Sequence, residues 1–301
     1  MRILYNMQTL ISNKEKIFEI IEKVENFDSS MITHYYYPNI SIYDDTISIV
    51  MTSSNRSRQV YYTLDRIEKS SFKHIHVIIV DDSDVDPIIH SMINGYAFYI
   101  DLVIINKQNK NWINPVVNYN IGFKFIKGSK VVIQNSEVCH VGDVLGWISN
   151  NITDNNYYCF DVKAIESFEG NNEIYKIKDL TTTIYSRENI FRRNCKWYHG
   201  RNNITNYHFL TAMTRNTFEL VKNFSYDYTF GVDFDDNDFV LKIKSKNINI
   251  INLFHDEYFF GGIHLYHTSS YLKWVNVESN LEIFNKKLDH YNMHKEYIDF
   301  L

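Results

Sequence analysis

Apolar positions along this chain follow two rhythms, and the switch between them outlines the architecture. Ile17, Ile20, Ile21 and Val24 recur at helical spacing. Ser12-Asn-Lys-Glu15 has the form of a capping box, which predicts a helix opening there. From residue 47 the rhythm changes. Ile47 to Met51 is a short unbroken apolar run, the pattern of a strand buried on both faces. A polar turn, Thr52 to Ser57, leads to Val60, Leu64 and Ile67 on one helical stripe. His74 to Val80 predicts a second strand, ending at Asp81-Asp82-Ser83, and Pro87 suits the first turn of another helix. Phe98 to Ile105 predicts a third strand. Asn114-Pro115 reads as a helix start, Gly128 as its stop, and Lys130 to Gln134 as a fourth strand.

This β-α-β-α alternation predicts an α/β fold with a mostly parallel, doubly wound sheet. Right-handed crossovers would line the strand C-termini along one edge, where open α/β sheets bind ligands. The second half is less regular. Tyr157 to Ile165 and Asn247 to Phe254 read as strands, and Phe218 to Phe224, Asp238 to Lys246 and most of Tyr271 to Tyr297 as helices. No internal repeat or Pro/Gly/Ser-rich linker interrupts the chain.

Composition narrows the class. At 301 residues and 45% hydrophobic content, a sizeable core is expected and disorder is not. A formal charge of −5 argues against a general nucleic-acid binder, which needs a basic face. Cys139, Cys159 and Cys195 are too few and too scattered for a disulfide framework or a CxxC metal site, and read as reduced thiols. No stretch reaches the ~18 apolar residues of a membrane span and no signal-peptide pattern is seen, so a soluble cytoplasmic protein is expected. The Asn-rich composition produces Asn-x-Ser/Thr matches at Asn39, Asn151 and Asn203 by chance.

Polar residues gather where the sheet argument puts a ligand. Thr52, Ser54 and Arg56 follow the first strand, Asp82 the second, and Asn135-Ser-Glu137 the fourth. A nucleotide site would use Asp82 to accept from base or ribose, Arg56 to neutralise phosphate and Glu137 to hold a divalent metal. Polar turns and a helix cap at Asp-Asp-Ser account for each group singly, whereas three such loops in register favour a site. The glycine-rich loops of nicotinamide enzymes and P-loop NTPases are missing from the sequence.

The stretch from Ile47 through Met51-Thr-Ser-Ser-Asn-Arg56 resembles the opening strand of family 2 glycosyltransferases of the GT-A fold. Val77-Ile-Ile-Val-Asp-Asp82 is similar to their second strand, whose terminal Asp contacts the nucleotide. Asn118-Tyr-Asn-Ile-Gly122, then Gly128 and Val131-Val-Ile-Gln-Asn-Ser-Glu137, resembles the family's Asn-x-Gly helix leading into its metal-binding D-x-D. Asn135 stands at the first acid, a departure that weakens it as a cation ligand, and Glu137 at the second. The resemblance implies a GT-A nucleotide-binding sheet flanked by helices with a closely associated acceptor-side half. It covers about residues 45–268, which implies a catalytic domain at 46–268 (nucleotide-sugar half 46–150, acceptor half 151–268), and leaves outside it the helical extension at 1–45 and the helical segment at 269–301 that the apolar spacing predicts. It implies donor contacts from Thr52, Ser54, Arg56, Asp82, Asn120 and Asn135.

Gly231-Val-Asp-Phe-Asp-Asp-Asn-Asp238 crowds Asp235, Asp236 and Asp238 at a helix start. Like charges this close raise one another's pKa, and such a cluster can supply a general base or merely an acidic cap. The run from Tyr207 through Tyr228-Thr-Phe-Gly231 resembles the family's acceptor-side segment. By that match Asp236 is the base, Asp235 helps bind the acceptor, Tyr228 and Phe230 form an apolar platform for a sugar, and Asp238 caps the helix. His264-Leu-Tyr-His267, after a strand and a Gly-Gly turn, has histidines placed to share one face of a helical turn. It resembles the metal-completing segment of inverting galactosyltransferases, which implies Mn²⁺ or Mg²⁺ on Glu137, His267 and His264. The expected partners are a nucleotide sugar, UDP-linked by family habit, and a glycan or glycoconjugate acceptor. A nucleotide-sugar-binding module without catalysis stays open beside the enzyme, and a sugar nucleotidyltransferase is disfavoured by the missing phosphate loop. Trp197-Tyr-His199 suits either carbohydrate stacking or an aromatic core.

Overall fold

The computed structural model describes residues 2–178, 180, 195–254, 260–268 and 277–301. Its strands are β1 (Ile32–Pro38), β2 (Ile47–Ser53), β3 (Ile75–Asp81), β4 (Tyr99–Ile105), β5 (Lys130–Gln134), β6 (Val138–Val141), β7 (Asn156–Ile165), β8 (Cys195–His199), β9 (Leu210–Thr214), β10 (Asn249–Leu253) and β11 (Gly261–His264). The helices are α1 (Arg2–Glu25), α2 (Ser57–Glu68), α3 (His90–Ile93), α4 (Val116–Phe123), α5 (Val144–Asn151), α6 (Phe168–Tyr175), α7 (Arg215–Val221), α8 (Asp235–Ser245) and α9 (Val277–His294).

One sheet runs β1-β4-β3-β2-β5-β9-β7-β11-β6, with β10 and β8 both paired to β7. The strands β4, β3, β2 and β5 are mutually parallel, as the apolar runs predict. Beyond them the sheet is mixed: β9 is antiparallel to both β5 and β7, and β11 and β10 run parallel to β7. Because β7 lies two antiparallel steps from β5, it points the same way. The C-terminal ends of β2, β3, β5 and β11 therefore share one edge.

Core packing explains why these residues make these elements. Successive residues of a strand face opposite sides of the sheet. Val50, Ile78, Val80 and Val131 thus enter one apolar cluster, and Ile47, Ile49, Met51, Val77 and Ile79 the other. Each such side chain, fully buried, contributes about 1.5–3 kcal/mol. Helix α4 lies close on the sheet because Gly122 lets it. A Cβ there would sit 2.7 Å from Val50 Cγ1 and 3.2 Å from Val80 Cγ2.

Several elements depart from expectation. Helix α1 starts before the capping box, so Ser12 and Glu15 lie within it, and the segment expected to be a helical extension also supplies edge strand β1, antiparallel to β4. Pro87 starts no helix. The nearest is the four-residue α3, because side chains take the loop's amides instead. Asn55 Oδ1 accepts from the N–H groups of Asp84, Val85 and Asp86, and Asp81 Oδ2 accepts from Ile88. Gly261 and Gly262 lie inside β11 rather than in a turn, so His264 ends a strand and His267 follows in irregular chain. The start of the C-terminal helix expected from Tyr271 falls outside the described residues up to Val277. Cys139 and Cys159 are buried free thiols, and no described helix is long and apolar enough to cross a membrane.

Candidate functional site

The aligned strand ends carry the polar loops. At the end of β3 the two neighbouring acids divide the work. Asp81 organises the turn, accepting from Ser83 Oγ at 2.5 Å and from Ile88 N at 2.8 Å. Asp82 is only 4% exposed. Its Oδ2 accepts from Asn118 Nδ2 at 3.0 Å and pairs with Lys110 Nζ. Its Oδ1 is buried without a hydrogen-bond partner, 4.0 Å from Lys107 Nζ. Burial pulls the Asp82 carboxyl up, but the Lys110 charge with the hydrogen bonds from Lys110 and Asn118 overcomes it, and the net direction is down.

In the turn between β5 and β6, Glu137 is fully buried and ionised. Burial raises its pKa, but Arg56 and the two histidines hold it well below the usual carboxylate range. Three nitrogens converge on one oxygen: Glu137 Oε1 lies 2.7 Å from Arg56 Nη1, 3.1 Å from His264 Nε2 and 3.3 Å from His267 Nε2. One ligand atom from each of Glu137, His264 and His267 fits within a 4.8 Å span. His267 Nδ1 lies 3.1 Å from the Thr268 carbonyl, which can only accept. Nδ1 therefore carries the proton of the neutral ring, leaving a lone pair on Nε2. That lone pair points to the Glu137 side, where a bound cation would accept it. A carboxylate and two imidazoles form a donor set suited to a divalent transition metal. A cleft of about 400 Å³ opens beside His267, with Arg58, Phe168 and Tyr175 among its walls.

The acidic segment starts α8. Asp235 is 8% exposed and hydrogen-bonded from Asn114 Nδ2 at 3.1 Å, whereas the Asp236 side chain is 27% exposed. His208 Nδ1 approaches Asp236 Oδ1 at 2.5 Å. Neither atom has a well-directed hydrogen bond, so the contact is an ion pair. Burial pulls the His208 pKa down, and the charges of Asp236 and Asp235 more than reverse it.

Tyr119 joins these parts. Its ring meets His208 edge-on at 4.9 Å, and its hydroxyl donates to the Gln134 carbonyl at 3.0 Å with Asn135 Oδ1 at 3.4 Å. Asp82 is reached through its neighbour Asn118, and Glu137 lies two residues beyond Asn135. Tyr198 stacks on His264 at 5.1 Å. Contacts thus chain Asp82 through Asn118 and Tyr119 to Asn135 and, across His208, to Asp236, while Glu137 gathers Arg56, His264 and His267.

Three expected roles do not fit their surroundings. Asn120 is buried, and its amide brackets the Phe224 backbone, donating to O at 3.0 Å and accepting from N at 2.9 Å. It holds α4 to the acceptor half and faces no donor. Tyr228 is 0% exposed with Lys287 5.3 Å from its ring centre, so it offers no face to a sugar, while Phe230 is half-buried against the core. Asp238 does not cap α8. It accepts from the Tyr297 hydroxyl at 2.5 Å and lies 3.5 Å from Lys287. Of the aromatic run, Tyr198 packs on His264, His199 is buried, and the Trp197 side chain lies outside the described residues. Sequence reasoning missed Lys110, Asn118, Tyr119 and His208. Asn118 and Tyr119 stood in the helix motif without a role.

Asp235 makes a measurable cost. Burial first, then Asp236, pushes its carboxyl up to about 7 from an ordinary 3.8. Between those values the folded chain holds a proton that the unfolded chain has released, so this group makes stability fall as pH rises from 3.8 towards 7, with the full cost present above 7. Asp235→Asn should therefore be more stable than the wild type at about pH 8, with the gap closing towards about pH 4. Thermal melts of both proteins across that range test this. A gap that is constant with pH would remove the buried acid as its cause.

Residues 48–219 match the family described as Glycosyl transferase family 2, more than half of the chain. No curated protein sequence is a significant match. Among solved structures, S. aureus TarS 1-349 in complex with UDP-GlcNAc is similar with a TM-score of 0.55 at 15% identity, covering 83% of this chain and 69% of that one. GalNAc-T7 with UDP, GalNAc and Mn²⁺ gives a TM-score of 0.52 at 11% identity, covering 82% of this chain and 50% of that one. The chain spans 60% of TarS 1-349 as matched without ligand, and 37% of a longer TarS structure. At these identities the likeness is one of fold, the GT-A arrangement of a parallel nucleotide-binding sheet and helices. With the family match spanning β2 to α7, the chain belongs to glycosyltransferase family 2.

Proposed function

We propose that the protein transfers a sugar from a nucleoside-diphosphate donor to an acceptor hydroxyl, with inversion at the anomeric carbon. The observation that carries this reading is the meeting of Glu137, His264 and His267 on the same strand edge as Asp82, with Asp236 reached across Tyr119 and His208. The buried, unpartnered Asp82 Oδ1 suits an N–H of a nucleobase such as uracil. TarS and GalNAc-T7, of the same fold, were solved with UDP or a UDP sugar, which supports a UDP-linked donor.

Glu137, His264 and His267 would hold a divalent cation, and two imidazoles favour Mn²⁺ over Mg²⁺. When bound, it supplies Lewis-acid charge to the departing diphosphate. Arg56, beside Glu137, adds a fixed positive charge for the same oxygens. Asp236 takes the acceptor proton from the more open side of the acidic pair. The acceptor oxygen then bonds to the anomeric carbon as the carbon–oxygen bond to the diphosphate breaks, its electron pair leaving on phosphate. His208, pressed against Asp236 Oδ1, orients the carboxylate and steadies its charge. A binding module without catalysis would accommodate Asn135 but gives no account of a half-open Asp236 paired with a buried histidine.

Thermal stabilisation by a panel of nucleotide sugars, with and without Mn²⁺, tests donor and metal together. A donor at 100 times its Kd should add about 2.7 kcal/mol and raise the melting temperature by about 5 °C. Silence from every nucleotide sugar with Mn²⁺ present would sink the function. The same rise in chelator would sink only the metal.

A further inference from the structure

The chain enters α8 through two consecutive left-handed residues that are not glycine, Asp233 (φ 63°) and Phe234 (φ 66°). Each such residue costs on the order of 1–3 kcal/mol and persists only where its surroundings dictate it. The usual device at this position is missing, since Phe234 at the N-cap makes no side-chain capping bond.

The C-terminal helix α9 supplies the constraint instead. Asn280, 1% exposed, donates to the Asp233 carbonyl at 3.0 Å. Phe284 stacks on Phe234 with ring centres 5.7 Å apart. Lys287, also buried, lies 3.5 Å from Asp238 and is held by Asp227 at 2.8 Å and Asp299 at 3.2 Å. Positions 280, 284 and 287 recur at helical spacing and so form one face of α9. That face meets 233, 234 and 238, the residues flanking Asp235 and Asp236. Gly231 completes the fit, because a Cβ there would lie 2.1 Å from Asn280 Oδ1.

We infer that α9 is an external cap for α8, and that Asn280, Phe284 and Lys287 are positioning residues for Asp236. This rests on the reading of Asp236 as the base. Both α8 and α9 lie outside the residues matched by the family. The helix converts a strained turn into a fixed one, so the Asp236 carboxylate does not have to be ordered when acceptor arrives.

Lys287→Met would leave the enclosed Asp227 and Asp238 carboxylates without that cation and risks unfolding. Asn280→Ala, Phe284→Ala and their double variant are the milder probes. Amide hydrogen exchange in the full-length protein reads the cap directly. Exchange at 235–239 should speed up by at least about tenfold in the double variant while strands β2, β3 and β5 stay protected. Transfer to acceptor should fall by about tenfold or more, while hydrolysis of the donor by water and stabilisation by UDP with Mn²⁺ stay at wild-type levels. Unchanged exchange at 235–239 would overturn the cap. Transfer and donor hydrolysis falling by the same factor would overturn the positioning role, because general loss of fold moves both alike. A wild-type protein that transfers no sugar would remove the functional reading, and the exchange comparison would still decide the cap.

Discussion

Asp236→Asn should reduce sugar transfer by about 10²–10⁴-fold, the contribution typical of a positioned general base. Of the two neighbouring carboxylates this is the one an acceptor can reach, since its side chain is 27% exposed and that of Asp235 is enclosed and bonded to Asn114. An amide keeps the shape but cannot take the proton. Donor binding should survive, because Asp82 and Glu137 lie on other loops, after β3 and β5. The charge beside His208 also disappears, and with it the main influence raising that histidine's pKa. The His208 titration followed by NMR should therefore move to lower pH in Asp236→Asn. Asp235→Asn should cost less activity. Single-turnover transfer and isothermal titration with UDP separate the effects. Transfer surviving in Asp236→Asn at near wild-type rate would move the base elsewhere, and loss of UDP binding would show that the substitution had disturbed the crevice as a whole.

How much of this could be read without coordinates follows from what each residue's signal depends on. The strands β2, β3 and β5 were legible because burial on both faces writes an unbroken apolar run. The exposed edge strand β1 has no such run, and β6, β9 and β11 are four or five residues long, too short for a period to show. The metal-candidate trio was legible through motif order, although His264 and His267 sit at a strand end and beyond it rather than on a helical turn. Asn118 and Asn120 show the limit. Two positions along a helix point some 200° apart, so only one amide of the pair can face the sheet edge. Motif matching favoured Asn120, and packing gives Asp82 to Asn118. His208 carried no spacing signal at all. Its meaning comes from a fold that lays the start of β9 beside the start of α8, a long-range fact no local pattern encodes. Asp238 looked like a helix cap because the residues that claim it, Lys287 and Tyr297, lie some fifty residues further on.

Glu137→Gln should abolish the Mn²⁺-dependent part of donor binding and bring transfer down with it. Glu137 alone among the three candidate ligands carries a formal negative charge, and Arg56, His264 and His267 all converge on its Oε1. The substitution leaves two imidazoles and a guanidinium around a neutral amide, which repels a cation where the wild type attracts one. It also strands Arg56, whose side chain is 19% exposed, without its counter-charge. Breaking a buried pair by removing one partner typically costs about 3–5 kcal/mol, so a lower melting temperature should accompany the loss. His267→Ala separates stability from metal binding. It removes one neutral ligand and keeps the Arg56–Glu137 pair, so it should weaken Mn²⁺ while sparing the fold. Mn²⁺ affinity measured by electron paramagnetic resonance in the presence of UDP should then rank wild type above His267→Ala, and His267→Ala above Glu137→Gln. If Glu137→Gln bound Mn²⁺ and UDP as tightly as the wild type, the cation would sit elsewhere, and the cluster would be a charge network holding the β5–β6 turn against β11.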